Sequence, residues 1–247
     1  MLVDAGALFD LESNAVRVAL TRLCKRGLVD RDERGSYQLA AGTSPLRQLV
    51  DAWRRGDSRL RAWTGRWMCA LQPRGLAARE RRRSHVALRR VGFREGLDGL
   101  WVRPDNLRQT QDELGQDLEG LGLSAGAELF SGKGFAAELQ TRWCSRLWDH
   151  RRFRAGHRAA QRNLERSTAR LGRTSRHKAL VETFFFGGAA IRSLVADPLL
   201  PDEVASGDAR RALTDAMLKY DRIGRSIWMS FLETPALSRA PGQLLAV

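Results

Sequence analysis

The sequence is poor in cysteine, histidine and acidic residues, and it has no long apolar run. Three cysteines, Cys24, Cys69 and Cys144, lie far apart with no CxxC spacing. An odd number of scattered thiols, with no charged segment leading into an apolar stretch at the start, argues against a disulfide framework. It points to reduced thiols and a cytoplasmic location. No stretch approaches the roughly 20 apolar residues that cross a bilayer, so no membrane partner is expected. The four histidines, His85, His150, His157 and His177, share no ligand spacing with one another or with the cysteines, so no metal is expected. A nucleotide-cradling loop is missing too. "FSGKGF" has Ala127 where the first glycine belongs and Gly134 where Ser or Thr must follow the lysine, which leaves a glycine turn closing a strand. Asp197, Asp202 and Glu203 gather in "LVADPLLPDEV", but the prolines beside them mark a break between helices more simply than a catalytic pair. No catalytic constellation and no cofactor are expected.

What the sequence has is positive charge. Lys and Arg number 42 against 28 Asp and Glu, a formal charge of +14, and arginine far outnumbers lysine. No fold requires this balance, whereas a polyanion is attracted by it. A merely soluble basic protein, or one that pairs with an acidic protein, is the plainer alternative.

The pattern of "SNAVRVALTRLCKRGLVDRDERGSYQL" sharpens the choice. A short apolar helix from Leu2 to Phe9 ends at Asp10, and Ser13 is a plausible N-cap for a second. Val16, Leu20, Leu23 and Cys24 then repeat at helical spacing and predict one buried face. Gly27 fits the C-terminal cap. "LVDR", "DERG" and "SYQL" read as strand, turn, strand. The outer face is left to Asn14, Arg17, Thr21 and Lys25, side chains able to bond base edges or phosphates. A solvated amphipathic helix is the commoner reading of any single helix. Helix, tight turn, helix and charged hairpin together favour a winged helix-turn-helix. Ser13, Asn14, Arg17, Thr21, Arg22 and Lys25 are then the candidate DNA contacts, with Arg31 and Arg34 at the hairpin against the backbone or minor groove.

Beyond the linker "AAGTSPL" and a helix over about Leu46 to Arg55, the middle of the chain alternates. "RWMCALQ" predicts a strand. "AARERRRSHVALRRVGF" predicts a helix whose apolar positions Val86 and Leu88 lead to Phe93. "GLDGLWVRP" predicts a hairpin, "NLRQTQDELGQDLEGLGL" a helix and "AELFSG" a last strand. Strand, helix, hairpin, helix, strand is the order of a ferredoxin-like unit. From about Ala136 onward only helices are expected. The fold class is therefore α+β: a winged head over 1–42, a linker helix over 43–62, a ferredoxin-like domain over 63–136 and a helical domain over 137–247.

Two arginine-rich surfaces stand out. "RERRR" and "LRR", between Arg79 and Arg90, form either a phosphate-facing surface or a solvated helix face with Glu80 as partial partner. Arg154, Arg158, Arg162, Arg166 and Arg170 fall four apart, and steps of four advance about 400°, so they trace a slowly drifting stripe. An exposed linking helix explains the stripe. So does capture of phosphates, on DNA or on a nucleotide-bearing effector, by bidentate guanidinium contacts. Six tryptophans, from Trp53 to Trp148, read as core or dimer packing, with an aromatic pocket as the rarer use.

Three stretches, taken together and in order, resemble the PaaX-type transcriptional repressors of phenylacetate degradation. These are the head quoted above, "RWMCAL" with "RRVGFREGLDGLWVRPDNL", and "VADPLLPDEV". The resemblance implies a homodimer, formed through the ferredoxin-like domain, that represses from a palindromic operator in double-stranded DNA. It implies release by an aromatic acyl-CoA thioester such as phenylacetyl-CoA, a ligand whose phosphates suit Arg154, Arg158 and Arg162. Heads of that family carry a further helix ahead of the one at Leu2. Its absence from this sequence predicts exposure of Leu8 and Phe9.

The middle unit also resembles the ferredoxin-like nucleases of CRISPR spacer acquisition, which place an acidic metal ligand at the end of the first strand. Here that strand ends "CALQPR", with no acid, so a two-metal cleavage site lacks its ligand. A third reading is a non-enzymatic adaptor that binds acidic proteins through its basic face.

Overall fold

The computed structural model describes residues 2–33, 36–41 and 44–233. Helices and two antiparallel sheets make it an α+β protein. Arg34 falls outside the described residues.

The chain starts with two helices, α1 (Leu2–Ala7) and α2 (Ser13–Lys25), joined by a tight turn. The amides of Phe9 and Leu11 both donate to the Gly6 carbonyl, and Asp10 takes a left-handed backbone at φ 56°. Asp tolerates that conformation better than most side chains. Gly6 is needed for the crossing, because a Cβ there would lie 2.6 Å from Val16 Cγ2. At the far end, the Gly27 amide donates to the Cys24 carbonyl and the Leu28 amide to the Leu23 carbonyl, with Gly27 at φ 64°. That pair of bonds is a Schellman ending, as the glycine led one to expect. The start differs from expectation. Glu12 is the N-cap and makes no side-chain capping bond, while Ser13 is the first helical residue. A hairpin follows, β1 (Val29–Arg31) paired with β2 (Tyr37–Leu39) in the register Val29 to Leu39.

Helix α3 (Ser44–Asp51) runs into a 3-10 segment (Ala52–Arg59), so the expected single helix breaks near Asp51. Gly56, at φ 48°, lets the segment press on the last helix, where a Cβ would lie 3.1 Å from a Thr214 methyl. The middle of the chain then reads β3 (Trp67–Leu71), α4 (Ala78–Arg90), β4 (Arg94–Leu97), β5 (Leu100–Pro104), α5 (Gln111–Leu121) and β6 (Glu128–Gly132). Its sheet has the order β4-β5-β3-β6, antiparallel throughout.

Both faces of that sheet are covered, and strand alternation assigns the residues. Met68, Ala70 and Trp101 point to the layer that holds Leu88, Phe93, Leu114 and Leu118. Trp67, Cys69 and Val102 point to the other layer, against Trp143 of α6 (Ala137–Arg146) and Trp148. On α4 the inward residues are Ser84, Ala87 and Leu88, while Val86 is 40% exposed. Val86 lies two residues from Leu88, about 200° around the helix, so the two cannot share a face. Five of the six early tryptophans are core residues at 2% exposure or less.

Three helices close the fold: α7 (His150–Leu171), α8 (Arg176–Val195) and α9 (Asp208–Glu233). They pack around Leu164, Ala190, Leu194, Leu213, Met217 and Tyr220, with Trp53 of the 3-10 segment inserted. The segment between α8 and α9 does more than break the helix. Leu199 sits in one core layer of the middle unit and Leu200 in the other. Leu199 is left-handed at φ 55°, its amide donates to Asp197 and its carbonyl accepts from Asn106. Buried Arg103 donates to Asn106 and to the carbonyls of Pro104 and Val91.

Gly92, at φ 90°, is where this segment crosses the middle unit, and a Cβ would come within 2.6 Å of the Pro198 carbonyl oxygen. Gly92→Ala should therefore destabilise the protein by about 2–4 kcal/mol, since it combines backbone strain with a clash against main chain. Urea denaturation measures this, and a change within about 0.5 kcal/mol would refute the crossing.

Candidate nucleic-acid interface and polar cavity

On α2, Asn14, Arg17, Thr21 and Lys25 fall within about 80° of one another around the helix axis. Ser13 and Arg22 flank them. All six are exposed, and so is Arg31 on β1. Among the described residues none of the four cations makes an ion pair, although Arg31 lies 5.8 Å over the Tyr37 ring. Thr21 donates to the Arg17 carbonyl, which leaves its hydroxyl oxygen free to accept. Residues 13–39 hold Arg17, Arg22, Lys25, Arg26, Arg31 and Arg34 against three carboxylates, Asp30, Asp32 and Glu33. A row of unpaired cations and amide or hydroxyl groups on one face can bond phosphates and base edges.

The inner face of α2 is looser than its periodicity suggested. Val16, Leu20, Leu23 and Cys24 are only half-buried, and α2 has no fully buried residue. The partners are small: α1 has 6 residues and each hairpin strand has 3. Leu8 and Phe9 correct the opposite expectation. Leu8 is 9% exposed, and Phe9 is half-buried against Phe184 and Phe185 of α8, with ring centroids at 4.8 and 5.6 Å. Helix α8 supplies the cover that a preceding helix was expected to give.

The arginine stripe divides. Arg154, Arg158 and Arg162 are exposed on α7 and make no ion pair among the described residues, whereas Arg166 bonds Asn163 and Arg170 bonds Glu182. Arg154 alone of the first three lines a cavity of about 260 Å³. On α4, Arg79, Arg81, Arg82 and Arg83 are exposed. Glu80 accepts from Ser124 and makes no ion pair with them.

The cavity lies where α7, the Asp197–Pro201 segment and the start of α9 meet. Beneath it runs a line of buried charges. Arg210, 5% exposed, donates from Nε to Asp57 at 2.8 Å and from Nη1 to Asp197 at 3.2 Å. Burial works against the Arg210 charge, but Asp57 and Asp197 outweigh it and hold its pKa above the ordinary value. Burial likewise opposes ionisation of Asp57, and Arg210 with Arg211 overcomes it, so that carboxyl stays below its usual range. His157, 2% exposed, places Nε2 at 3.4 Å from both Asp197 Oδ2 and the Ser193 carbonyl. Burial pushes the His157 pKa down, against the pull of Asp197.

The sequence assigns Arg210 no role and raises His157 only as a metal ligand, yet both carry a signal. Arg210 shares its helix face with Leu213, Met217 and Tyr220, and His157 shares one with Leu164 and Leu171. A polar residue at core spacing on an apolar face is the mark of a buried network. At the end of β3, Gln72 accepts a bond from buried Ser84, and no cluster able to hold a metal occurs among the described residues. No helix there is long and apolar enough to cross a membrane.

No protein-family profile matches the chain, and neither does any curated relative. Among solved structures it is similar to an uncharacterized protein, Rv0674, from Mycobacterium tuberculosis. The two are 24% identical with a TM-score of 0.54, over 92% of this chain and 89% of that one. The likeness is of fold alone.

Two outcomes follow from the charge line. Arg210→Met leaves two carboxylates beside an apolar stub and should cost about 3–5 kcal/mol in urea unfolding. A change below about 1 kcal/mol would show that Arg210 does not tie the junction. The lowered His157 pKa has its own signature. The unfolded chain takes up a proton near pH 6.5 while the folded chain does not. Stability is therefore full above that pH and falls as the pH drops toward the folded-state value. His157→Gln should flatten the fall in melting temperature between about pH 7 and 5, leaving the same-signed share of His85, whose pKa burial also lowers. Identical slopes in the two proteins would refute it.

Proposed function

We propose that this protein is a DNA-binding transcriptional regulator with a winged helix-turn-helix head, α2 being its recognition helix and the β1–β2 hairpin its wing. The observation that carries the reading is the face of α2. Asn14, Arg17, Thr21 and Lys25 stand exposed together behind a tight helix-turn-helix crossing, and among the described residues no carboxylate pairs with the cations. A helix of 13 residues is about 20 Å long, enough to lie in a major groove. Arg31, and Arg34 beside it in sequence, would hold the phosphate backbone.

The middle unit reads as ferredoxin-like, supported by its βαββαβ order and the strand order β4-β5-β3-β6. The regulator is a cytoplasmic homodimer, joined through that unit, that represses an aromatic-acid or acyl-CoA catabolic operon from a palindromic site. Two heads would enter major grooves about 34 Å apart. An acyl-CoA thioester would release it, its phosphates meeting the exposed stripe that Arg158 and Arg162 carry on α7. Reciprocity then requires DNA to weaken effector binding by the factor by which effector weakens DNA binding.

Gel-shift titrations on the DNA upstream of its own gene test the head. Arg17→Ala should reduce discrimination between that site and scrambled DNA, by about 1–3 kcal/mol at the base it reads. Arg31→Ala should weaken all sequences alike and lower the salt slope by about one. Unchanged binding by both variants would overturn the head assignment.

A further inference from the structure

We propose that the cavity between α7 and the Asp197–Pro201 segment is a binding site for a small organic carboxylate with an apolar body. The inference stands on the cavity's own chemistry and does not depend on the head binding DNA. Phe153, Pro198, Leu200 and Val204 give it an apolar wall. The polar groups are unequal. Arg210 has its charge met by Asp57 and Asp197, so it has little left to offer a ligand. Arg154 makes no ion pair among the described residues, which leaves a guanidinium fork at the cavity with its positive charge unanswered. A carboxylate matches that fork with two parallel bonds.

His157 supplies the second recognition group. Both neighbours of its Nε2, the Asp197 carboxylate and the Ser193 carbonyl, are acceptors, so Nε2 carries the proton. Nδ1 has no partner among the described residues, though the ring is 2% exposed and lines the cavity. That nitrogen is open to the cavity and can meet an occupant. A carboxylate arriving beside Arg154 favours protonation there, and Nδ1–H then donates to the ligand. The groups facing the ring are Arg154 and His150 from its own helix, Asp197 at the end of α8, and Arg210 from α9 with Asp57 behind it. Ligand binding therefore takes up as much as one proton.

Size narrows the class. About 260 Å³ falls below the roughly 300–1,000 Å³ of sites for drug-sized ligands, which admits a small acid and excludes a whole nucleotide-bearing molecule. The acyl end of a thioester carries no charge and would leave Arg154 unmatched inside the cavity. The cavity and the outer stripe of Arg158 and Arg162 thus suit different ligands.

Isothermal titration of the full chain with benzoate and with hexanoate tests the site. Inorganic phosphate, benzyl alcohol and benzoyl-CoA serve as comparison probes. At least one carboxylate should bind, with affinity rising as the pH falls from 7.5 to 5.5 by up to about tenfold per unit. Arg154→Gln, an exposed change that leaves the core intact, should weaken it about tenfold or more. His157→Gln should remove the pH dependence. No binding of either acid at 10 mM (roughly the weakest affinity worth calling a site), or unchanged binding by Arg154→Gln, would overturn the proposal. Equal affinity for benzyl alcohol would make the site merely apolar, and equal affinity for phosphate would make it a plain anion site. Benzoyl-CoA binding more tightly than benzoate, with loss in Arg154→Gln, would hand Arg154 to the outer stripe. Each of these three results also overturns it.

Discussion

Arg210 is the constraint on which the rest of the architecture depends. It is a guanidinium taken out of water, and such a group stays in a fold only when carboxylates meet it. The two that do so come from different places: Asp57 from the 3-10 segment before the sheet, and Asp197 from the end of α8. One side chain on α9 thus fixes where the chain enters the middle unit and where it leaves the helical one. Geometry made elsewhere follows from this. Asp197 is held in place to accept from the Leu199 amide, and the left-handed turn at Leu199 sends Leu199 and Leu200 into opposite core layers.

Arg103 and Asn106 complete the junction from the other side without any carboxylate in contact with Arg103. Arg103 donates only to carbonyl groups, and Asn106 passes the connection on to the Leu199 carbonyl. Two buried arginines therefore clamp one short segment, one through charge and the other through the Asn106 amide. Removing the segment's hydrogen bonds would leave several polar groups stranded at once, so the middle sheet and the helices are linked energetically. The cavity lies against this clamp, and its buried polar floor is a by-product of holding the segment.

Element types were legible because their causes are local. The compact apolar run in "RWMCALQ", the helix-ending glycine at position 27 and the prolines around "DPLLP" each act within a few residues, and the corresponding elements lie within a few residues of where they were expected. Buried faces were less legible. Val86 is apolar yet 40% exposed, while Ser84 is buried through a bond to Gln72, a partner 12 residues away. The exposed cations of α2 could be read from helical spacing. The charge line under the cavity could not, since Asp57 and Arg210 are 153 residues apart and only the fold brings them together. Phe9 failed as an expectation for the same reason: its cover comes from α8.

The Phe9 contact has a consequence for how the molecule loosens. Helix α2 has no fully buried side chain, and the aromatic seat of the head on α8 is made by Phe184 and Phe185, which are 56% and 55% exposed. Little apolar area is lost when that seat opens, whereas the sheet and the three helices are each packed around buried cores. The amides of α2 and of the hairpin then belong to a shallow opening unit, exchanging with solvent while the body stays shut. The head and body are in effect two cooperative units on one chain, the weaker one carrying the basic helix.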